Sequence, residues 1–374
     1  MKILELCLSP GIGGLEMYMV KCCTALNRDN SVIAVTGDNG FIYEKINKLN
    51  IPSSTLSPSF KKLPLYSAHI LAKLVDREDV DIIHMHWNKD LPLASLAKRL
   101  SKKKPNLIVS RHMKMTRSKQ DLYHRMIYSE MDLLLNVTRE LSGVASRMLP
   151  SADADKSDYL YLGVEAPAKI LDKNEITERR QQLDITDNKF VIGLFGRIEE
   201  FKAQHLLIQA AAQLIDHGHE LQILIVGHAM DDDYLQSLHN MAIELSIDDH
   251  ILFHDFVENP QEWMQLCDCI VLTTIEETFG LVLVEAMRTG ISVIGSNRGG
   301  VPEIIRHGEN GMLFESGNEK DLAEKLETLL NNRELLLQLA KNGKKFSDHN
   351  FDHDLHFQKL QDRFLQLTES VVNR

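Results

Sequence analysis

The sequence lacks any run of apolar residues near the length of about 18 that a membrane-spanning helix needs. Cysteine is also scarce, since the 374 residues contain only five, and none are spaced as C-x-x-C. An odd number of cysteines without that spacing argues against a disulfide framework and favours reduced thiols. The adjacent pair Cys22 and Cys23 is interpreted as helix packing. Because the first residues form a strand pattern without the apolar core of a secretory signal, we expect a cytoplasmic protein.

Basic stretches interleaved with aromatic residues are missing, which argues against nucleic acid as a partner. The net charge is −11, but residues 1–168 carry +5 and residues 169–374 carry −16. Ordinary solvated surface explains a basic first half as well as any function does. Alternatively, this half contacts something anionic, either a phosphorylated acceptor or the inner face of a membrane, to which the protein would bind peripherally. One basic cluster consists of Lys98, Arg99, Lys102, Lys103 and Lys104.

Short apolar runs alternate with amphipathic stretches along the chain, which predicts an α/β fold with doubly wound parallel sheets. The length is sufficient for two domains, and the polar segment Lys169–Gln182 marks the boundary between them. We expect one domain at 1–168, a second at 169–345 and a terminal helix at 346–374. Individual elements predicted in this way include strands near residues 190, 221, 251, 269 and 291, a strand over Tyr159–Val164, and a helix over Glu334–Ala340.

The segment Thr273–Glu285 combines the end of a buried strand, a polar loop and the start of an apolar helix at Phe279-Gly280. A helix N-terminus at the carboxyl edge of a parallel sheet is an anion-binding site. Glu277 lies just before this helix, and Glu285 lies more than one turn inside it. A pair of glutamates on a helix is more often only a solvated face. Beside an anion site, however, two carboxylates indicate a ligand with phosphates and hydroxyls, such as a nucleotide-sugar.

A second strand-to-helix turn carries Arg197 and Lys202, which are spaced so that both can converge on one diphosphate. Arginine supplies a bidentate fork and lysine a mobile point charge. The acidic run 231–233 resembles a metal site at first sight. An acidic run at the start of a helix is far more often a cap, and we expect no metal there.

Further stretches extend this pattern: GGVPE at 299–303, GENGMLF at 308–314, and GGLE at 13–16 after the first strand. The last of these is not a dinucleotide-binding loop, because Glu16 stands where the third glycine of G-x-G-x-x-G is needed. Together with the segment around Glu277 and Glu285, these stretches resemble glycosyltransferase family 4, a family of retaining GT-B enzymes. The resemblance extends from about residue 1 to 345.

The resemblance implies two Rossmann-like domains facing across a cleft, with the terminal helix crossing back onto the first domain. It also implies transfer of a sugar from a nucleotide diphosphate to a hydroxyl, with retention of anomeric configuration and with no metal or other cofactor. Arg197 and Lys202 match the phosphate-binding places of the family, although Ala203 replaces its usual glycine. Glu277 would hold a sugar hydroxyl and Glu285 the ribose. The implied donor-binding set is Gly13, Gly14, Glu16, Phe279, Gly280, Leu281 and Glu285.

In the first half, His84 and His86 end a strand and resemble the family's D-x-x-H-x-H element at the cleft. Two histidines at a strand end are often only hydrogen-bonded residues, and a metal would need more ligands than these two. His112 matches a histidine that contacts the donor sugar in the family, and Arg111 and Lys114 beside it can reach an acidic acceptor. The implied sets are therefore catalytic His112, Arg197, Lys202 and Glu277, and acceptor-side His84, His86 and Arg111.

Two alternatives remain open at this point. A nucleotide-sugar epimerase or hydrolase with the same fold would need further acid or base carboxylates in the first domain. A non-catalytic sugar-nucleotide-binding subunit would not need Arg197, Lys202, Glu277 and Glu285 together. For the transferase, we expect a nucleotide-diphosphate sugar as donor and a carbohydrate or lipid-linked acceptor in cell-envelope polysaccharide or lipopolysaccharide synthesis.

Overall fold

The computed structural model describes residues 1–11, 13–38, 40–57, 62–186 and 188–372. The chain divides into two compact units. One comprises Met1–Tyr161 together with Asp354–Arg374, and the other comprises Leu162–His353. The second unit is therefore continuous in sequence, whereas the first is built from both ends of the chain.

The first unit alternates strands and helices from its beginning. Its elements are β1 (Lys2–Cys7), α1 (Gly14–Leu26), β2 (Ser31–Thr36), α2 (Phe41–Lys48), β3 (Ser53–Thr55), α3 (Leu65–Glu78), β4 (Ile82–Met85), α4 (Leu91–Leu100), β5 (Asn106–Arg111), α5 (Leu122–Tyr128), β6 (Leu133–Asn136), α6 (Arg139–Met148) and β7 (Ser157–Tyr159). The strands form one parallel sheet in the order β3-β2-β1-β4-β5-β6-β7.

The second unit repeats the same plan. Its elements are α7 (Lys173–Gln182), β8 (Phe190–Phe195), α8 (Gln204–Asp216), β9 (Leu221–Val226), α9 (Asp232–Glu244), β10 (Ile251–His254), α10 (Pro260–Met264), β11 (Cys269–Leu272), α11 (Leu281–Thr289), β12 (Ser292–Ser296), α12 (Val301–Ile304), β13 (Met312–Phe314), α13 (Glu319–Asn331) and α14 (Arg333–Asn350). The sheet is parallel, in the order β10-β9-β8-β11-β12-β13. The last helix, α15 (His353–Val372), belongs to the first unit from Asp354 onward.

Each sheet has one interior point at which the order of its strands reverses. The strand order reverses between β1 and β4 in the first unit and between β8 and β11 in the second. In doubly wound sheets, ligands bind outside the carboxyl ends of the strands at this switch point, because the connecting helices leave toward opposite faces there. The loops after these four strands are therefore where functional side chains are expected.

The apolar pattern of the strands explains why the sheets form. Strand β11, CIVL, is buried along its whole length, as expected for a strand covered by helices on both faces. The helices carry the complementary pattern: α13 buries Leu322, Ala323, Leu326 and Leu329 and packs on α8. Among the described residues, no helix is both long enough and apolar enough to cross a bilayer.

Several element boundaries differ from the sequence-based prediction. The segment predicted as a strand over Tyr159–Val164 is a strand only at Ser157–Tyr159, and Val164 instead forms an isolated bridge with Asp352. The helix predicted to end at Ala340 continues to Asn350. It continues through Gly343 because a Cβ there would lie 3.0 Å from the carbonyl oxygen of Asn310, so glycine allows close packing. Two of the three strands of three residues, β3 and β13, were not predicted.

Candidate functional site

In the second unit, the loop after β8 is held tightly against the loop after β9. A Cβ on Gly227 would lie 1.8 Å from the carbonyl oxygen of Gly196, so only glycine allows this approach. Arg197 follows directly, and its guanidinium pairs with Glu199 at 2.9 Å. The Arg197 side chain remains 56% exposed, which leaves it able to turn toward a ligand.

Lys202 ends a short 3-10 turn, and α8 begins immediately after it. The residue between them, Ala203, has φ 52° and ψ 42°, the left-handed conformation that a glycine adopts readily. The replacement of the family's glycine by Ala203 therefore leaves the turn in its left-handed form, at a cost of about 1–2 kcal/mol. Thr273 fixes the turn by donating from Oγ1 to the carbonyl oxygen of Lys202 at 2.7 Å.

Glu277 lies in the loop after β11, on the other side of the switch point. Its carboxylate accepts from Lys202 Nζ at 2.7 Å, and the two side chains are only 18% and 20% exposed. Its second oxygen accepts from the backbone N–H of Thr278 at 3.0 Å. The backbone of Glu277 is held by the next loop, because the N–H of Gly300 donates to its carbonyl oxygen at 2.8 Å. The structure thus brings Lys202 and Glu277 into direct contact.

The start of α11 completes this group. Gly280 is the N-terminal boundary residue with φ 103°, and within the described part of the chain no side chain caps the helix. Leu281 and Glu285 lie one turn apart on α11 and are both half-buried. Phe279 is buried, and its ring meets Phe351 edge-on at 5.7 Å. Its side chain therefore packs in the core, so any contact of Phe279 with a donor would come from its backbone.

The acidic run before α9 has the capping role that the sequence predicted. The carboxylate of Asp231 accepts from the backbone N–H groups of Asp233 at 3.0 Å and Tyr234 at 3.3 Å. The capping interpretation is confirmed.

In the first unit, Glu16 turns back over the glycine loop that follows β1. Its carboxylate accepts from the Ser9 hydroxyl, and Cβ atoms on Gly11 and Gly13 would lie 3.1 and 3.3 Å from its two oxygens. Glycine at these positions therefore lets the buried carboxylate lie against the loop backbone. Gly14 begins α1 with open space around it.

Glu5 is the residue that sequence reasoning missed in this unit. It lies in the middle of β1, is fully buried, and accepts from His84 Nδ1 at 3.0 Å and from His86 Nε2 at 2.6 Å. Burial alone would raise the pKa of Glu5, but the charge of His84 and the hydrogen bonds from both histidines hold it at about 2. The available signal was a glutamate inside an otherwise apolar strand, Ile3 to Leu8.

The three predicted histidines of this unit share an aromatic environment. The ring of Tyr18 lies 4.8 Å from that of His112 and 5.6 Å from that of His86. Burial and the nearby histidines lower the pKa of His112 to about 3, and burial and His84 lower that of His86 to about 4. Both imidazoles are therefore neutral at pH 7. Tyr18 itself bonds through its hydroxyl to His356 Nε2 at 2.9 Å, a contact from α15 that the sequence could not indicate.

The basic residues after β5 divide into two groups. Lys114 pairs with Glu140 at 3.5 Å, so its charge is compensated. Arg111 is buried, and among the described residues its Nε has no hydrogen-bond partner. Burial and the charges of Arg117 and Arg111 lower the pKa of Lys119, and the charge of Asp121 opposes them. Lys114 also lies beside Arg111, since its carbonyl oxygen accepts from the guanidinium of Arg111 at 3.2 Å.

The cluster between Lys98 and Lys104 is largely compensated by acidic neighbours. Lys98 pairs with Asp132, Arg99 with Glu130 at 2.9 Å, and Lys103 with Asp79 at 2.7 Å and Asp81 at 3.1 Å. This cluster accordingly presents less positive charge than the sequence suggests.

Two parallel doubly wound sheets, each with polar residues at its switch point, define the GT-B class of fold. Comparison with known families agrees: the family described as "Glycosyl transferases group 1" matches residues 175–346, and "Glycosyl transferase 4-like" matches residues 5–138. The chain belongs to the group 1 glycosyltransferases and is a glycosyltransferase of the family 4 type.

Curated relatives share about a quarter of their aligned residues with this chain. The chain is 24% identical over 281 residues to N-acetyl-alpha-D-glucosaminyl L-malate synthase of Bacillus anthracis, covering 74% of this chain and 72% of that one. It is 25% identical over 351 residues to D-inositol 3-phosphate glycosyltransferase of Corynebacterium aurimucosum, covering 85% and 83%. It is 28% identical over 202 residues to the capsular polysaccharide glycosyltransferase CapM of Staphylococcus aureus, covering about half of each, 54% and 52%.

Solved structures show the same fold. HepE of Anabaena, in complex with UDP, has a TM-score of 0.87 at 24% identity, covering 98% of this chain and 100% of that one. The lipopolysaccharide outer core galactosyltransferase WaaB has a TM-score of 0.77 at 18% identity, covering 98% and 99%.

Proposed function

We propose that this glycosyltransferase moves a sugar from a nucleotide diphosphate to a hydroxyl acceptor, with retention of anomeric configuration. The observation that carries the proposal is the contact between Lys202 and Glu277 beside the start of α11, at the switch point of the second sheet. One cation, one carboxylate and a helix N-terminus suit a ligand that carries both phosphates and hydroxyls. HepE, which shares the fold, has also been solved with UDP-glucose.

Lys202, Arg197 and the dipole of α11 would stabilise the charge that develops on the leaving diphosphate. Fixed groups of this kind typically contribute about 3–4 kcal/mol per donor to transition-state stabilisation. Glu277 would exchange part of its contact with Lys202 for a hydroxyl of the transferred sugar, and Glu285 would bind the ribose. The neutral imidazole of His112 would serve as a hydrogen-bonding group for the sugar rather than as an acid or base.

Retention suits a same-face mechanism. A double displacement needs a carboxylate nucleophile beneath the anomeric carbon. Glu277 is assigned to a sugar hydroxyl and is held by Lys202 and by the N–H of Thr278, and Glu5 and Glu16 are each buried in contacts of their own. We therefore propose that the leaving phosphate oxygen takes the proton of the acceptor hydroxyl on the same face of the sugar.

Incubation with radiolabelled UDP-, GDP- and ADP-sugars, with envelope glycolipid extracts as acceptors, tests this function. A labelled glycan whose new linkage keeps the donor's anomeric configuration by NMR supports it. An epimerised or freed sugar would instead indicate the epimerase or hydrolase alternative, and donor binding alone would indicate a non-catalytic subunit. Thermal shifts with UDP, GDP and ADP identify the base, since a tight ligand raises apparent stability.

Activity is expected to persist in excess EDTA. Lys202, Arg197 and the start of α11 supply the positive charge that a divalent ion supplies in metal-dependent sugar transferases. Initial rates measured after a short incubation with and without chelator check this. Loss of activity that is restored by magnesium or manganese would contradict the proposed role of these side chains.

We also propose that the acceptor is anionic or lipid-linked and that the enzyme binds it at a membrane surface. Three basic residues, Arg111, Arg117 and Lys119, occur within nine positions at and after the end of β5, and an apolar surface lies exposed at the starts of α3 and α5. The two starts are neighbours, because Tyr123 donates from its hydroxyl to the carbonyl oxygen of Lys62 at 2.7 Å. The members of this exposed apolar surface are Leu63, Leu65, Tyr66, Leu122 and Met126.

Liposome sedimentation is expected to show binding to anionic lipids that weakens with salt and with Leu65→Asp. Each basic residue near an anionic bilayer contributes about 1 kcal/mol, and salt screens it. Leu337→Asp is the matched control, because Leu337 is 57% exposed and Leu65 56%, but Leu337 lies in the second unit. Equal and weak binding to anionic and neutral vesicles would argue for an enzyme with a soluble acceptor.

A further inference from the structure

The interior of the first unit contains a group of four side chains, two of which, His84 and His86, the resemblance places on the acceptor side. Glu5 on β1, Cys22 on α1, and His84 and His86 on β4 are all fully buried. One potential ligand atom from each lies within 4.8 Å of those from the other three. Among the described residues, no other set of three or more His, Cys, Asp or Glu side chains has such geometry.

The fold places these residues together by simple rules. Strands β1 and β4 are parallel neighbours, and Glu5 and His84 are partners in their register. His86 follows two residues later and therefore points to the same face of the sheet. Cys22 lies on the face of α1 that packs on this sheet, one turn after Tyr18. Sequence alone offered two of the four ligands, and the sheet register and α1 provide the other two.

We propose that Glu5, Cys22, His84 and His86 form a structural zinc site. One carboxylate oxygen, one sulfur and two imidazole nitrogens are ligand types that zinc binds, and four protein ligands without a solvent position are typical of structural sites. With metal–ligand bonds of about 2.0 to 2.3 Å, a tetrahedron has edges of about 3.3 to 3.8 Å. The potential ligand atoms are separated by distances from 2.6 Å, between Glu5 and His86, to at most 4.8 Å. The edge lengths of the tetrahedron lie within this range.

The charges of the four ligands match a divalent ion. A glutamate carboxylate and a cysteine thiolate together carry the two negative charges that one zinc ion neutralises. Buried charge is strongly unfavourable unless it is compensated, so this balance matters inside a dry core. A metal-free network of hydrogen bonds between Glu5, His84 and His86 is the competing arrangement, and it leaves Cys22 as an ordinary thiol.

The surroundings of His84 also suit a metal ligand. Its Nδ1 faces the cluster, while its Nε2 lies 2.8 Å from the hydroxyl oxygen of Ser110. Ligating histidines usually donate their other ring N–H to such an oxygen, which fixes the tautomer and the ring orientation. A zinc ion here would join α1 to β1 and β4. Because it is enclosed, it would survive a short treatment with EDTA, so its test is independent of the catalytic one.

The test is metal analysis of the intact protein, expressed with zinc supplementation and dialysed against chelator. We expect about one equivalent of zinc per chain by mass spectrometry, and tetrahedral cobalt–thiolate absorption after expression with Co²⁺. Cys22→Ser should remove the thiolate band, whereas Cys23→Ser should keep both the band and the metal. Cys23 is the matched control because it is equally buried, but its sulfur faces Met19 Sδ at 4.0 Å.

The measurement on the unmutated protein decides the matter even if a variant fails to fold. Zinc content below about a tenth of an equivalent, with no cobalt–thiolate band, would overturn the site and leave a hydrogen-bonded Glu–His network. Metal that remains in folded Cys22→Ser with an unchanged cobalt spectrum would equally overturn it, because Cys22 would then not be a ligand.

Discussion

Replacing Lys202 by alanine is expected to lower turnover at least about a hundredfold, which corresponds to about 2.7 kcal/mol of lost transition-state stabilisation. The side chain contacts Glu277, which precedes α11 by a short loop, and its charge would stabilise the leaving diphosphate. Arg197→Ala is expected to act in the same direction, since its guanidinium pairs with Glu199 in the loop that leads to Lys202. Turnover is measured under saturating donor, so that weakened binding does not mask the chemical step.

The control for this experiment is Lys325→Ala. Lys325 pairs with Asp321 in the same unit at 2.8 Å, and both side chains are 23% exposed, close to the values for Lys202 and Glu277. Both variants therefore lose a partly exposed ion pair of similar worth, about 0–1 kcal/mol in stability. Only the Lys202 variant should lose activity. Similar activity of the two variants would refute the assignment of Lys202 to the diphosphate.

Gly299→Ala is expected to be the most damaging small substitution in the second unit. A Cβ on Gly299 would lie 2.1 Å from the carbonyl oxygen of Glu277, and the residue has φ 62°. The loop that holds Glu277 would have to move, so we expect both a loss of several kcal/mol in the free energy of unfolding and a loss of activity. Denaturant unfolding and donor binding measure the two effects.

Gly308→Ala provides the comparison, because Gly308 also has a positive φ, 75°, but a Cβ there would meet no atom within 4 Å. It should cost only the left-handed strain of about 1–2 kcal/mol and leave activity intact. Indistinguishable unfolding free energies and activities for the two variants would mean that the contact between Gly299 and Glu277 does not position the carboxylate.

The sequence was sufficient for features that depend on local pattern. The main strands of the second sheet were predicted from apolar runs, because buried parallel strands must be apolar on both faces. The short strands β3 and β13 were not, since three residues carry too little periodicity to distinguish a strand from a loop. Gly343 shows the same limit for helices, because its place in α14 depends on a contact with Asn310 far along the chain.

Site residues divide in a similar way. Arg197, Lys202 and Glu277 stand at loop positions that a strand-to-helix pattern reveals. Glu5 and Cys22 gain significance only when the register of β1 on β4 and the face of α1 are known. His356 reaches Tyr18 from α15, which no local pattern can indicate. Ala203 demonstrates the converse: a departure in sequence need not change the backbone conformation.

The composition of the first unit from both ends of the chain has a consequence for biosynthesis. Residues of α15 pack into this unit. Phe364 is fully buried, and its ring lies edge-on to that of His84 with 5.2 Å between the ring centroids, while Thr368 contacts Met1. A ribosome delivers β1 to β7 first and α15 last, after the whole of the second unit. Domains usually fold in the order of their synthesis. Here the continuous second unit can finish folding while the first unit is still incomplete, because α15 has not yet been synthesised.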